Sequence, residues 1–266
     1  MIDTVFVLIT ISICLTIFYF VFVKQITKLR KFFWDVDDKL KDINSQIVKT
    51  REDLRKLSTD LEIKTTETQN AIYLSQLDFK APVFMGGWSI DTFLGKYLVQ
   101  HIINSKPKTI LELGSGSSTL LIAKTLQTTN AKNCTHITVD HEAKYLEITR
   151  EYARLNGLED QIIWLECPLV NYQEYEKLWY GGLVEKLNGH KIDLLLIDGP
   201  PGPLQKYSRY PALPCLHPYM SENCIVLLDD AGREDEQYIA KKWIESYPEF
   251  SLSFELDGHG IAILKR

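Results

Sequence analysis

Six acids stand where apolar, strand-like runs stop, and a turn of small residues stands among them. Glu112 and the turn Gly114-Ser115-Gly116-Ser117-Ser118-Thr119 close the run Thr109–Leu113, Asp140 closes His136–Val139, and Glu166 closes Gln161–Leu165. Asp198 closes Ile192–Ile197, and the pair Asp229–Asp230 closes Cys224–Leu228. A strand that runs through a glycine turn into a helix lets backbone N–H groups approach a nucleotide-like ligand closely. An acid about two dozen residues further on, where Asp140 lies, suits the two hydroxyls of a ribose. Carboxyls gathered at Asp198, Asp229 and Asp230 would repel one another, raising at least one pKa and making that group a base for a hydroxyl proton. The plainer alternatives are that Asp140 is a turn residue and that Asp229 and Asp230 cap the next helix.

These acids can act together only if the runs are strands of one sheet. Helical patterns at Thr119–Leu126, Ala143–Asn156, Lys177–Leu187 and Asp235–Ser246 alternate with the runs, and Ser89 can cap a helix carrying Phe93, Leu94, Tyr97, Leu98 and Ile102. Ser251–Leu256 and Ile261–Leu264 read as a hairpin around Asp257-Gly258. Repeated β-α units with apolar strands predict an α/β fold, a parallel sheet covered on both faces, with ligands beyond the carboxyl ends of the strands. The proline-rich stretch Gly199–Met220, with Lys206, Tyr207, Arg209, Tyr210 and His217, is then a wall of the acceptor site. Arg209 and Arg233 suit an acidic acceptor and equally suit salt bridges. Trp88, beside Gly86 and Gly87, either borders the ligand pocket or packs in the core, and His259 reads as structural.

Glu112-Leu113-Gly114-Ser115-Gly116 resembles the E/D-x-G-x-G signature of class I S-adenosylmethionine (SAM) methyltransferases. A dinucleotide fingerprint would instead want glycine at Thr119 and has no use for an acid at Glu112. From Trp88 to Arg266 the chain resembles the O-methyltransferase-like "methyltransferase domain 24" family, through E-L-G-S-G-S-S-T, V-D-H-E, I-D-G-P-P-G, R-Y-P-A-L-P and L-D-D-A-G-R. The resemblance implies a Rossmann-like seven-stranded sheet with a C-terminal antiparallel hairpin. It implies that SAM is held by Glu112, Gly114, Ser115, Gly116, Thr119 and Asp140, with Glu166 near the adenine. In related catechol-type enzymes an acid and an Asp-Asn pair at the places of Asp198, Asp229 and Asp230 hold Mg²⁺. The same three residues are the expected catalytic groups, with or without the ion. Arg209, Arg233 and Trp88 are the expected acceptor contacts, and a sugar, lipid-linked sugar or small-molecule hydroxyl the expected acceptor.

Ahead of this domain, taken as residues 70–266, lie two segments of different character. Residues 4–23 carry no charge and are followed by Lys24, Lys28, Arg30 and Lys31. Such a helix is long enough to cross a bilayer of ~30 Å, with the remainder in the cytoplasm by the positive-inside rule; a signal peptide would want a basic start and a shorter core. Residues 24–69 repeat Ile26, Phe33, Leu40, Ile47, Leu54 and Leu61 every seven, with Leu29, Val36, Ile43 and Leu57 between them, which predicts a coiled-coil stalk and a homodimer. A single amphipathic helix on its own domain is the alternative. The net charge of −5 over 266 residues gives no reason to expect a nucleic-acid partner, and the five cysteines, without a CxxC pair, read as reduced thiols. Two other readings remain at this point: a non-catalytic scaffold with a degenerate domain, and an NAD(P)-binding oxidoreductase.

Overall fold

The computed structural model describes residues 2–266, with side chains from Val5 onward; Asp3 and Thr4, at the start of the apolar run, lie outside the described side chains. The chain divides into two compact units, one ending at Glu62 and one spanning Ile63–Arg266. Helix α1 (Ile2–Ser75) contains neither proline nor glycine, so nothing in its sequence interrupts the hydrogen-bond ladder. In the first unit its apolar side chains, including every one from Val5 to Val23, are exposed. This stretch is long and apolar enough to cross a membrane by length and composition.

The second unit is built on a seven-stranded sheet ordered β3-β2-β1-β6-β7-β9-β8. Its members are β1 (Thr109–Leu113), β2 (Thr135–Asp140), β3 (Ile162–Glu166), β6 (Ile192–Ile197), β7 (Met220–Asp229), β8 (Ser251–Glu255) and β9 (Ile261–Lys265). The first five pair in parallel, and β9 alone runs antiparallel to its neighbours β7 and β8, giving the methyltransferase-type sheet expected from the chain. Successive side chains point to opposite faces, and here both faces are dry. Leu111, Leu113, Leu195, Ile197, Val226 and Leu228 pack in one layer with Ile239 and Trp243 of α7 (Glu234–Ser246). Ile110, Leu194, Leu196 and Leu227 face the other layer, against Leu94 and Leu98 of α2 (Thr92–Ser105) and Leu121 and Ile122 of α3 (Ser117–Thr128). Each such side chain contributes on the order of 1.5–3 kcal/mol on burial. Helix α4 (Ala143–Leu155) follows β2.

Register is what places the acids. Leu113 sits opposite both Val139 and Ile197, and Ile197 opposite Leu228. The residues that follow, Gly114, Asp140, Asp198 and Asp229, therefore emerge together at the carboxyl edge, with Glu166 beside Asp140.

Two local expectations are corrected. The segment 177–187 is not one helix: β5 (Lys177–Tyr180) pairs antiparallel with β4 (Leu169–Tyr172), and only Leu183–Lys186 is helical (α5). Gly182, at φ +68°, breaks the run between them. The cap of α2 is Asp91 rather than Ser89; one carboxylate oxygen accepts from the Phe93 and Leu94 N–H groups at 3.0 and 2.9 Å. Between β6 and β7 the proline-rich stretch includes a short helix, α6 (Ala212–Leu216), flanked by single 3₁₀ turns.

Candidate active site

The two loops at the centre of the carboxyl edge touch through backbone. Gly114 has φ +98°, and a Cβ there would lie 3.2 Å from the Asp198 carbonyl carbon and the Gly199 nitrogen. A Cβ at Gly199 would collide with the Tyr180 hydroxyl and sit 3.3 Å from Gly114 Cα. Glycine at both positions is what allows the turn after β1 and the loop after β6 to meet. At Gly116 a Cβ would have nothing within 4 Å, so this peptide opens onto free space, as a backbone cradle for a ligand must.

Beneath the turn, Glu112 and Thr119 are both fully buried; the Thr119 hydroxyl donates to Glu112 Oε2 at 2.6 Å and accepts from the Gly116 N–H at 3.0 Å. The buried His136 lies 3.6 Å from the same carboxylate oxygen. Glu112 and Thr119 thus brace the turn from behind. Asp140 is the acid that faces the turn. Its Oδ2 accepts from the Ser115 N–H and hydroxyl at 3.0 and 2.7 Å, and its Oδ1 from the Glu142 N–H at 3.1 Å. Burial alone would raise its pKa, but these bonds and His141 together hold it below the ordinary value. The Glu166 side chain is exposed at the end of β3.

One strand further on, the acids surround a buried arginine. Arg209 is 2% exposed. Its Nη2 donates to Asp198 Oδ1 at 3.1 Å, to Asp230 Oδ2 at 2.9 Å and to the Asp198 carbonyl at 2.8 Å; Nη1 donates to the Asp229 carbonyl at 2.9 Å. Arg233 reaches the same Asp230 oxygen at 2.9 Å from a half-exposed position. Through these bonds Arg209 ties the end of β6 to the end of β7. Burial pushes Asp198 well above the usual carboxylate range despite Arg209. Burial, then the adjacent Asp230, pushes Asp229 up to about 6. Asp229 Oδ1 is buried without a hydrogen-bond partner, whereas the Asp198 side chain keeps 20% of its surface. Asp198 is therefore the most accessible of the three acids.

The three acids do not fit a shared divalent ion. Two of them already bind one guanidinium through the oxygens that face each other. The ligand atoms that do converge, within 4.8 Å, are those of Asp229, Asp230 and His259, a set without Asp198 and with Asp230 held by two arginines. His259 is also tied to the fold, its N–H donating to Asp91 Oδ2 at 2.6 Å. Trp88 is 87% exposed, so it is not a core residue, and His217 pairs with Glu249 at 2.6 Å away from the acids.

Sequence reasoning missed Tyr180. The strand β5 brings it to the edge, 3% exposed, with its hydroxyl buried and without a partner beside Gly199. Its ring meets His141 edge-on at 6.4 Å. The pair Gly181-Gly182 after it was the one signal that the segment is not a continuous helix.

Comparison with known proteins agrees with this geometry. Residues 111–231 match the family described as Methyltransferase domain. No curated protein matches the sequence. Among solved structures, the chain resembles the Bacillus cereus O-methyltransferase in complex with S-adenosylhomocysteine (SAH), at 15% identity and TM-score 0.52, over 76% of this chain and 90% of that one. It also resembles the SAH-bound Podospora anserina methyltransferase PaMTH1, at 17% identity and TM-score 0.51, over 66% and 79%. The O-methyltransferase TomG of Streptomyces achromogenes, in complex with SAM, is similar at 14% identity and TM-score 0.50, over 73% and 94%. At these identities the structures speak for the fold. The family match runs from β1 to the turn after β7, the span that carries the glycine turn and the edge acids, and it marks that span as a SAM-dependent methyltransferase domain.

Proposed function

We propose that this protein O-methylates a hydroxyl of a glycan, lipid-linked sugar or small molecule at the cytoplasmic face of a membrane, to which it is tethered. The observation that carries the reading is Asp198, a raised-pKa carboxyl with reachable surface, whose backbone touches the glycine turn. SAM, when bound, supplies an activated methyl group. Gly114, Ser115 and Gly116 form its backbone cradle, and Asp140 offers the carboxylate for its ribose. Asp198, in its ionised form, would take the acceptor hydroxyl's proton, and holding both reactants at one edge supplies positioning. Asp229 and Asp230 keep Asp198 and Arg209 in place, and Arg233 and Trp88, both exposed, are the acceptor contacts. The tether is residues 4–23, supported by the uncharged, exposed run and the four basic residues after it. The stalk, residues 24–69, pairs with a second copy; its exposed seam residues Ile26, Leu29, Phe33, Val36, Leu40, Ile43 and Ile47 would be covered in a parallel dimer.

The test is incubation of the full-length protein, in detergent, with labelled SAM and a membrane glycolipid extract. Label transferred to a lipid-soluble sugar, and lost in Asp198→Asn, is the expected result. Absence of SAM or SAH binding at millimolar concentration would overturn the reading in favour of a scaffold.

A further inference from the structure

We propose that the guanidinium of Arg209 is the resident cation of the acceptor site, standing between Asp198 and Asp230 in place of a divalent ion, so that this enzyme holds its acceptor without one. The proposal rests on the methyl-transfer reading given above. It starts from a chemical requirement: carboxyl groups gathered at the end of two neighbouring strands need a shared donor or counter-charge to hold them together in a buried place. A hard dication with carboxylate ligands is one solution. A buried arginine with planar, divergent donors is another.

The geometry selects the second. Nη2 lies 3.1 Å from Asp198 Oδ1 and 2.9 Å from Asp230 Oδ2, so the two oxygens that a bridging ion would share already converge on one N–H group. Nη2 also donates to the Asp198 carbonyl and Nη1 to the Asp229 carbonyl, so the guanidinium cannot turn aside without losing its bonds to both strand ends. A dication on the same oxygens would sit against a buried positive charge, with Arg233 as a second one on Asp230. The long return of the chain between β6 and β7 thereby delivers a cation covalently, at a fixed stoichiometry and independent of the supply of free metal.

Arg209 is a positioning residue: it orients Asp198 and Asp230 and does not touch the reacting atoms. The experiment is Mn²⁺ titration of the full-length protein in detergent, followed by electron paramagnetic resonance, with SAH binding measured calorimetrically in EDTA and in Mg²⁺. Wild type is expected to show no Mn²⁺ site tighter than about 1 mM and the same SAH affinity, within twofold, in both buffers. Arg209→Met, which leaves the acids without their cation, is expected to gain Mn²⁺ binding at least tenfold over wild type, whereas Arg209→Lys, which keeps the charge, is not. A purely structural arginine would not make the two substitutions differ in this way. Stoichiometric Mn²⁺ on wild type, abolished by Asp230→Asn, overturns the proposal, and this result requires no Arg209 variant to fold. Loss of SAH binding under every condition would instead remove the methyltransferase reading, and the Mn²⁺ titration separates the two failures.

Discussion

Both donors of Ser115, its backbone N–H and its hydroxyl, converge on a single oxygen of Asp140, at 3.0 and 2.7 Å. The carboxylate best placed for a ribose is thus held in position by the glycine turn that would cradle the rest of the ligand. Asp140→Asn keeps the shape but removes the charge and sets an amide beside Ser115. Hydrogen bonds to a charged group contribute about 1.5–3 kcal/mol each, so SAH affinity is expected to fall by about 10–100-fold. Calorimetry on the full-length protein checks this, and unchanged affinity would take Asp140 out of the site.

Asp229 links stability to pH in an unusual direction. Its pKa of about 6 lies above the ordinary 3.8, with burial as the first cause and Asp230 as the second. Between those values the folded chain keeps a proton that the unfolded chain has released, so this group's contribution falls as pH rises from about 4 to about 6. Asp229→Asn is expected to abolish that decline and to raise the melting temperature at pH 7 by a few degrees, at roughly 2–4 °C per kcal/mol. Thermal melts of both proteins at pH 4.5 and pH 7 measure it. A parallel pH response of the two would refute the assignment.

Removing Arg209 should be costly for a different reason. Arg209→Met leaves Asp198 and Asp230 facing each other without their shared donor, a loss of about 3–5 kcal/mol for a buried pair. Arg209→Lys, which keeps the charge, should recover part of that loss. Urea unfolding of both variants at pH 7 is the measurement, and equal losses would show that packing, not charge, is what the side chain supplies.

The Tyr180 hydroxyl, buried without a partner, is a group that the cofactor-free fold would be more stable without. A buried unsatisfied polar atom costs about 1–3 kcal/mol. Tyr180→Phe is therefore expected to stabilise the free protein by about 1 kcal/mol and to reduce the additional stabilisation conferred by SAH. Melting curves with and without SAH test both halves; a variant destabilised in both states would mean that the hydroxyl already has a partner.

The central strands were legible because Ile110–Leu113, Ile192–Ile197 and Ile225–Leu228 are buried on both faces and stop at glycine or aspartate. Placement of Gly114, Asp140, Asp198 and Asp229 on one edge followed from that. The hairpin of β4 and β5 was not legible. Its strands are four residues each, and Leu178, Leu183 and Leu187 happen to fall at near-helical spacing across the break at Gly182. Nor was the setting of Arg209, whose partners lie 11 and 21 residues away and meet it only because the chain folds back between β6 and β7. Charge pairing across a loop leaves no periodicity to read. Ser89 and Asp91 are both good caps, and what decides for Asp91 is its second bond, to the His259 N–H from the far end of the domain.

The position of β9 between β7 and β8 has a consequence for how the molecule is made. Asp229 closes β7, yet the strand that covers its open edge begins only at Ile261. At about 5–20 residues per second, roughly 2–6 s of synthesis separate the two. During those seconds Ile225-Val226-Leu227-Leu228 presents a bare, strongly apolar strand edge of the kind that recruits other chains. A factor that shields that edge on the ribosome is therefore expected to raise the yield of folded protein.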